Sequence, residues 1–194
     1  MRFSDDSVMR LYRQTVEDFG LFPGMELSDG EMEKLRTAAG EMSAKMRAVR
    51  IVSASSVSEG DLKQRLIRKG EDPVQADQAV AWMSDMGLVD DEKTAQMVVE
   101  HCIAKGYGVN RAKQALYEKR IPKQYWQDAL ADYPDQFDAI VNYLAGHLGD
   151  GTDPKLLRRT VDALMRRGHS YGVIRRALDT MRIGDDGIPE EQYD

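Results

Sequence analysis

The sequence predicts an all-α fold: three tandem three-helix repeats in an elongated array, behind a short N-terminal extension with room for a small β element. Three observations carry this expectation. Ala, Leu, Met, Lys, Arg, Gln and Glu, the residues that cost least in a helix, crowd the chain from about Ser28 onward. Glycines and prolines interrupt them at short intervals, among them Gly70, Pro73, Gly87, Gly106, Pro122, Pro154 and Gly168. And three windows, 61–80, 111–130 and 159–178, superpose without gaps at offsets of 50 and 48 residues. In that superposition Leu66, Leu116 and Leu164 coincide, as do Lys69, Lys119 and Arg167. Ala76, Trp126 and Ile174 share a column, and Ala79, Ala129 and Ala177 share another. A period near 48 residues indicates units that bury their apolar faces on neighbours.

The elements follow in order. Residues 1–40 form the extension: Ser7 to Arg13 alternates apolar and polar residues and suggests a short strand, and Thr15 to Phe19 fits one helical turn. Gly20, Pro23 and Gly24 mark a loop before a helix that starts near Ser28. Residues 41–90 form repeat 1, with a helix over about 41–54, then two more around the turn at Gly70, the last opened by Asp72 and Pro73. Residues 91–134 form repeat 2, opened by Asp90 as an N-cap, with a helix to about 105 and a pair around Lys119-Arg120. Residues 135–183 form repeat 3, with a helix to about 148, a second opened by Asp153 and Pro154, and a turn at Gly168. Residues 184–194 are an acidic tail. Helices of about 12–17 residues would make each unit roughly 24 Å wide, and the array about 60–75 Å long.

Composition excludes several classes. The 194 residues carry 27 Lys+Arg against 33 Asp+Glu, a net charge of −6, which disfavours a uniformly basic nucleic-acid coat protein. The hydrophobic share of 42 % is too high for wholesale disorder. One cysteine, Cys102, leaves no disulfide framework and no multi-cysteine zinc site. No apolar run approaches the roughly 18 residues of a membrane helix, and acids stand where a signal peptide would be apolar. The expectation is a cytoplasmic protein without membrane contact. Charge is nevertheless uneven: residues 153–183 hold 8 bases and 3 acids, whereas 134–152 hold 3 acids and no base, and 184–194 hold 5 acids and no base.

No catalytic or metal constellation emerges. His101, His147 and His169 are far apart, and His101 and Cys102, as neighbours on a helix, do not face each other. A buried thiol is the expected state of Cys102. There is no phosphate loop, dinucleotide fingerprint or HExxH, and Asp85, Asp90, Asp91 and Glu92 lack the ligand order of a calcium loop. Methionines at helical spacing, including Met42, Met46, Met83, Met86, Met97, Met165 and Met181, are expected in the core, as are Trp82 and Trp126.

Basic residues recur at equivalent places. Arg68 and Lys69, Lys119 and Arg120, and Arg166 and Arg167 end the second helix of each repeat, where positive charge also complements the helix dipole. Arg65, Lys105, Arg111, Arg158, Arg159, Arg175 and Arg176 complete the set expected to meet an anionic partner, with Arg182 extending the third repeat's share.

At these residues the sequence resembles the RecX family, bacterial modulators of the RecA recombinase. The stretch 87–116 is similar to the family's Gly-Leu-x-Asp-Asp-x-x-x-Ala element (Gly87, Leu88, Asp90, Asp91, Ala95) followed by Lys-Gly-x-Gly-x-x-Arg (Lys105, Gly106, Gly108, Arg111). Residues 58–70 and 164–178 resemble two further elements, and 19–35 looks like the extra N-terminal region of the Gram-positive branch. The chain departs from the pattern at Ser55 and Ser56, where the family often has an Arg, at Ala115 in place of a Glu, and at Lys119-Arg120 in place of Lys-Gly. The resemblance spans about residues 19–182. It implies a monomeric binding regulator, with no catalytic residue and no cofactor, that lies on a RecA–single-stranded DNA filament and limits filament growth, ATP hydrolysis and strand exchange. A helical DNA-binding protein without RecA specificity is the other reading, motivated by the basic block.

Overall fold

The computed structural model describes residues 1–3, 6–148 and 153–181. The described residues form ten α-helices and no strand. The expected β element reduces to a single antiparallel bridge between Arg2 and Val8, flanked by Phe3 N–H donating to the Ser7 carbonyl at 2.9 Å and Met9 N–H to Met1 at 3.0 Å. A ribbon this short has no third strand or apolar cover to extend it. Helix α1 (Arg13–Asp18) supplies the expected turn.

Helix α2 (Asp29–Ala54) runs unbroken for 26 residues, longer than any helix expected from the sequence. It joins the end of the extension to the first helix of repeat 1, because nothing between Ser28 and Ser55 stops it: Gly40 is the sole helix-weakening interruption after Gly30. Ser28 caps it by accepting from Glu31 N–H, while Glu31 accepts from Ser28 N–H at 2.8 Å, and this reciprocal pairing holds the Glu31 carboxyl below its usual value. Helices α3 (Glu59–Arg68) and α4 (Pro73–Asp85) pack on α2. Ala44 and Ala48 of α2, Leu62 and Leu66 of α3, and Ala76, Ala79 and Met83 of α4 make their core. Small residues on α2 let the helices approach closely; a Cβ on Gly40 would overlap the Gln75 amide.

These elements form one compact unit, Met1–Asp90, and the rest of the chain, Asp91–Asp194, forms a second. In the second unit, α5 (Asp91–Ala104), α6 (Val109–Glu118) and α7 (Trp126–Leu130) surround Ala95, Val99, Leu116 and Ile121. A single 3-10 turn at Lys123–Tyr125 precedes α7, which has only five residues where repeats 1 and 3 have thirteen and ten. Trp126 packs against that core, and its indole N–H donates to the Ile121 carbonyl at 3.0 Å. Helices α8 (Phe137–Leu148), α9 (Pro154–Arg166) and α10 (Tyr171–Thr180) enclose Ile140, Leu144, Leu157, Val161, Leu164, Ile174 and Leu178.

The methionine expectation divides. Met83 is buried, but Met86 and Met97 are 60 % and 48 % exposed. Met86 follows the end of α4 and Met97 lies off the buried stripe formed by Ala95, Val99 and Cys102, so sequence spacing alone placed them wrongly. Trp82 is half-buried against the first unit's core, with the Lys45 ammonium 5.8 Å over its ring. Cys102 is buried, and burial pushes its thiol above the usual value while His101 beside it is exposed.

Candidate binding surface

The repeated basic residues sit on repeated backbone. Lys69, Lys119 and Arg167 are the C-cap residues of α3, α6 and α9. The next residue in each, Gly70, Arg120 and Gly168, takes a left-handed conformation at φ 90°, 56° and 89°. Its N–H bonds back to Ile67, Tyr117 or Met165, and the N–H after it bonds to Leu66, Leu116 or Leu164. This double closure satisfies the last carbonyls of each helix and buries the residue that follows against the leucine. That residue is Glu71, Ile121 or His169, exposed by 8 %, 4 % and 7 %. The turn therefore presents a cation outward while it plugs the core inward.

Sequence reasoning missed these plugs because three unlike residues fill one position, each with its own partner. Glu71 accepts from Arg47 at 2.6 Å and from the Ser43 hydroxyl at 3.0 Å, while Arg47 also donates to the Lys69 carbonyl at 2.9 Å. Ile121 needs none. His169 is buried, which lowers its pKa below the usual value; its bond to the Gly106 backbone opposes that shift, and the nearby Arg167 charge adds to it.

The cations differ in how they are held. In the first unit Arg65 pairs with Asp61 at 2.8 Å and donates to Ser55 at 3.2 Å. Arg68 and Lys69 are exposed, with Arg68 directed at the Gln64 carbonyl at 3.4 Å. In the second unit Lys105 is exposed at the end of α5, Arg111 pairs with Glu118 at 3.4 Å, Lys119 is half-buried and Arg120 is exposed.

Repeat 3 has the densest charge. Helix α9 buries Leu157, Thr160, Val161 and Leu164, so its opposite stripe is Lys155, Arg159, Asp162 and Arg166. Lys155 and Arg166 are eleven residues apart, about 16 Å along the axis. Arg158, Arg159, Arg166, Arg167, Arg175 and Arg176 are all exposed. Arg176 lies 5.7 Å over the Phe137 ring and Arg167 lies 5.3 Å over Tyr143. Arg182 and the acidic tail 184–194 lie outside the described residues. Among the described residues no group of three or more His, Cys, Asp or Glu side chains is placed to hold a metal ion, and no helix is long and apolar enough to cross a membrane.

The turn of repeat 3 also touches repeat 2. Helix α6 begins at Gly108 with no side-chain cap. Instead Gly108 N–H donates to the Arg167 carbonyl at 2.8 Å and Asn110 N–H to Gly168 at 3.2 Å. A Cβ on Gly108 would overlap the Gly168 carbonyl, and one on Gly168 would overlap the Arg111 backbone. Two main chains thus meet where only glycine fits. The contact sets the Arg111 backbone against Gly168, the residue after Arg167.

A family model, described as RecX, second three-helix domain, matches residues 90–130, which are helices α5 to α7. The Regulatory protein RecX of Vibrio campbellii is 27 % identical over 140 residues, covering 71 % of this chain and 90 % of that one. That of Clostridioides difficile is 24 % identical over 189 residues, covering 94 % and 88 %. Among solved structures, one of a regulatory protein RecX aligns with a TM-score of 0.69 at 18 % identity, covering 92 % of this chain and 91 % of that one. RecX from Lactobacillus salivarius aligns at 0.64, also at 18 % identity, covering 75 % and 98 %. The relatives match over nearly their full length, and the family model covers the helices that carry Arg111 and Lys119; the chain is similar in sequence to RecX regulatory proteins and shares the fold of the solved RecX structures.

Proposed function

We propose that this chain is a regulatory binding protein that engages the RecA–single-stranded DNA filament and inhibits it, limiting filament growth, ATP hydrolysis and strand exchange. It acts as a monomer in the cytoplasm, in homologous recombination, DNA repair and the SOS response. The observation that carries this reading is the exposed cationic surface of repeat 3, Arg159, Arg166 and Arg167 with Arg175 and Arg176, on a RecX-type fold. A nucleoprotein filament offers phosphates and acidic protein surface at regular intervals, and exposed guanidinium groups suit both. The chain's net charge of −6 favours a shared contact, in which protein surfaces limit the approach and cations complete it.

The test is the RecA ATPase on single-stranded DNA with stoichiometric full-length protein. Inhibition is expected; no change at excess protein overturns the reading. Arg166→Ala with Arg167→Ala is expected to weaken inhibition while the melting profile stays near wild type, because both side chains are exposed. A second reading, DNA binding without RecA specificity, draws on the same surface. It predicts salt-sensitive binding to DNA with no effect on RecA.

A further inference from the structure

Helix α8 carries an aromatic pair of which Tyr143 packs against the core and His147 does not. Ile140, Leu144 and Leu148 make the buried stripe of this helix. Tyr143 and His147, one turn apart, stack with ring centroids 3.9 Å apart and an interplanar angle of 21°. The imidazole Nδ1 sits 2.8 Å from the Tyr143 carbonyl, which fixes the ring's orientation on the helix. The Arg167 guanidinium, from the C-cap of α9, lies 5.3 Å over the phenol. His147 and Arg167 are exposed, and Tyr143 is half-buried. Arg166 adjoins Arg167 in the chain, and Arg159 stands two turns back on the same face of α9.

A flat aromatic surface beside a row of cations matches one kind of polymer well. Single-stranded DNA carries a phosphate and an exposed base face at every step, whereas a duplex hides its base faces in the stack. An acidic protein segment would satisfy the cations but leave the rings without a planar partner.

We infer that the exposed face of His147, backed by Tyr143 and Arg167, is a stacking platform for one unpaired base of a DNA strand whose phosphates lie along Arg159 and Arg166. The inference rests on the filament-binding reading in one respect: the strand it meets in the cell is the one the filament holds. Stacking on a ring reads no base edge, so the platform tolerates any sequence. Arg167 serves twice, as a cation over the phenol and as a phosphate donor.

The test uses full-length protein and fluorescence anisotropy with two probes: an oligothymidine strand and an abasic phosphodiester strand of equal length. Both carry the same charge, and only one carries bases. The wild type is expected to prefer oligothymidine by about tenfold, the size of one base–aromatic contact. His147→Ala is expected to cut that preference at least about threefold, and His147→Phe to restore it, with the salt dependence of both unchanged. Equal affinity of the wild type for the two strands, absence of strand binding, or an unchanged preference in His147→Ala overturns the platform. The RecA ATPase separates this from the broader reading. A wild type that inhibits RecA but binds both strands equally sinks the platform alone. A wild type that prefers bases but leaves RecA unaffected sinks the filament reading alone.

Discussion

Arg120 is the residue at which this sequence departs most from its own repeat. It occupies the left-handed position that Gly70 and Gly168 hold in the other repeats, at φ 56°. A side chain there costs on the order of 1–2 kcal/mol. Arg120→Gly removes that strain but frees the unfolded chain, so the variant is expected to gain about 0.5–1 kcal/mol, read in a denaturant melt. If Arg120 also meets the filament, RecA inhibition falls in the same variant, and the two effects separate strain from contact. Glu71 makes the opposite case. Its carboxylate is buried and depends on Arg47 and Ser43. Arg47→Ala leaves that charge short of its main partner and is expected to cost about 2–3 kcal/mol, whereas Glu71→Gln, which keeps an acceptor for Ser43, costs less. Equal losses in the two variants would argue that the arginine acts through packing and not through its charge.

Elements were more legible in the sequence than the plugs between them. The columns of Leu66, Leu116 and Leu164, and of Lys69, Lys119 and Arg167, align because each turn needs the same leucine beneath it and the same tolerance for a cation outside. Asp72 and Asp153 cap α4 and α9 as their positions before proline imply, accepting from Val74 and Lys155 N–H at 2.8 and 3.0 Å. The buried column of Glu71, Ile121 and His169 was invisible because its partners come from other elements, Arg47 of α2 in one case and the Gly106 backbone in another. The surface was legible as a list of basic residues but not as a geometry: Arg65 and Arg111 turn out to be ion-paired, and the ring pair on α8 reads in sequence as an ordinary Tyr and His. His169 brings a pH dependence to its element. Its folded pKa lies below the unfolded value near 6.5, so the unfolded chain binds more protons between the two. Stability is therefore full above about pH 6.5 and declines as pH falls through the folded value. His169→Gln is expected to flatten that decline relative to wild type in melts between pH 7 and 5. Parallel curves for the two proteins would show that the histidine is not the titrating group.

Across the whole molecule, one turn motif serves three different neighbourhoods, and glycine substitution distinguishes them. A Cβ on Gly70 meets nothing within 4 Å, whereas one on Gly168 overlaps the Arg111 backbone. Both residues have φ near 90°. Gly70→Ala is expected to cost only the conformational term, on the order of 1–2 kcal/mol. Gly168→Ala carries the same term and must also push two main chains apart, so its loss should be at least about twice as large. Similar losses, measured by denaturant titration, would mean that the two main chains can yield without cost.

The junction between Gly108 and Arg167 also gives the molecule a built-in clock. The Gly108 amide bonds to a carbonyl of the third repeat and to nothing in its own helix. Its hydrogen can reach water only when repeats 2 and 3 part, so its exchange rate with deuterated solvent counts those partings directly. A partner that clasps both repeats slows that amide, and the Asn110 amide that crosses the same junction, and a partner that touches either repeat alone leaves them unchanged.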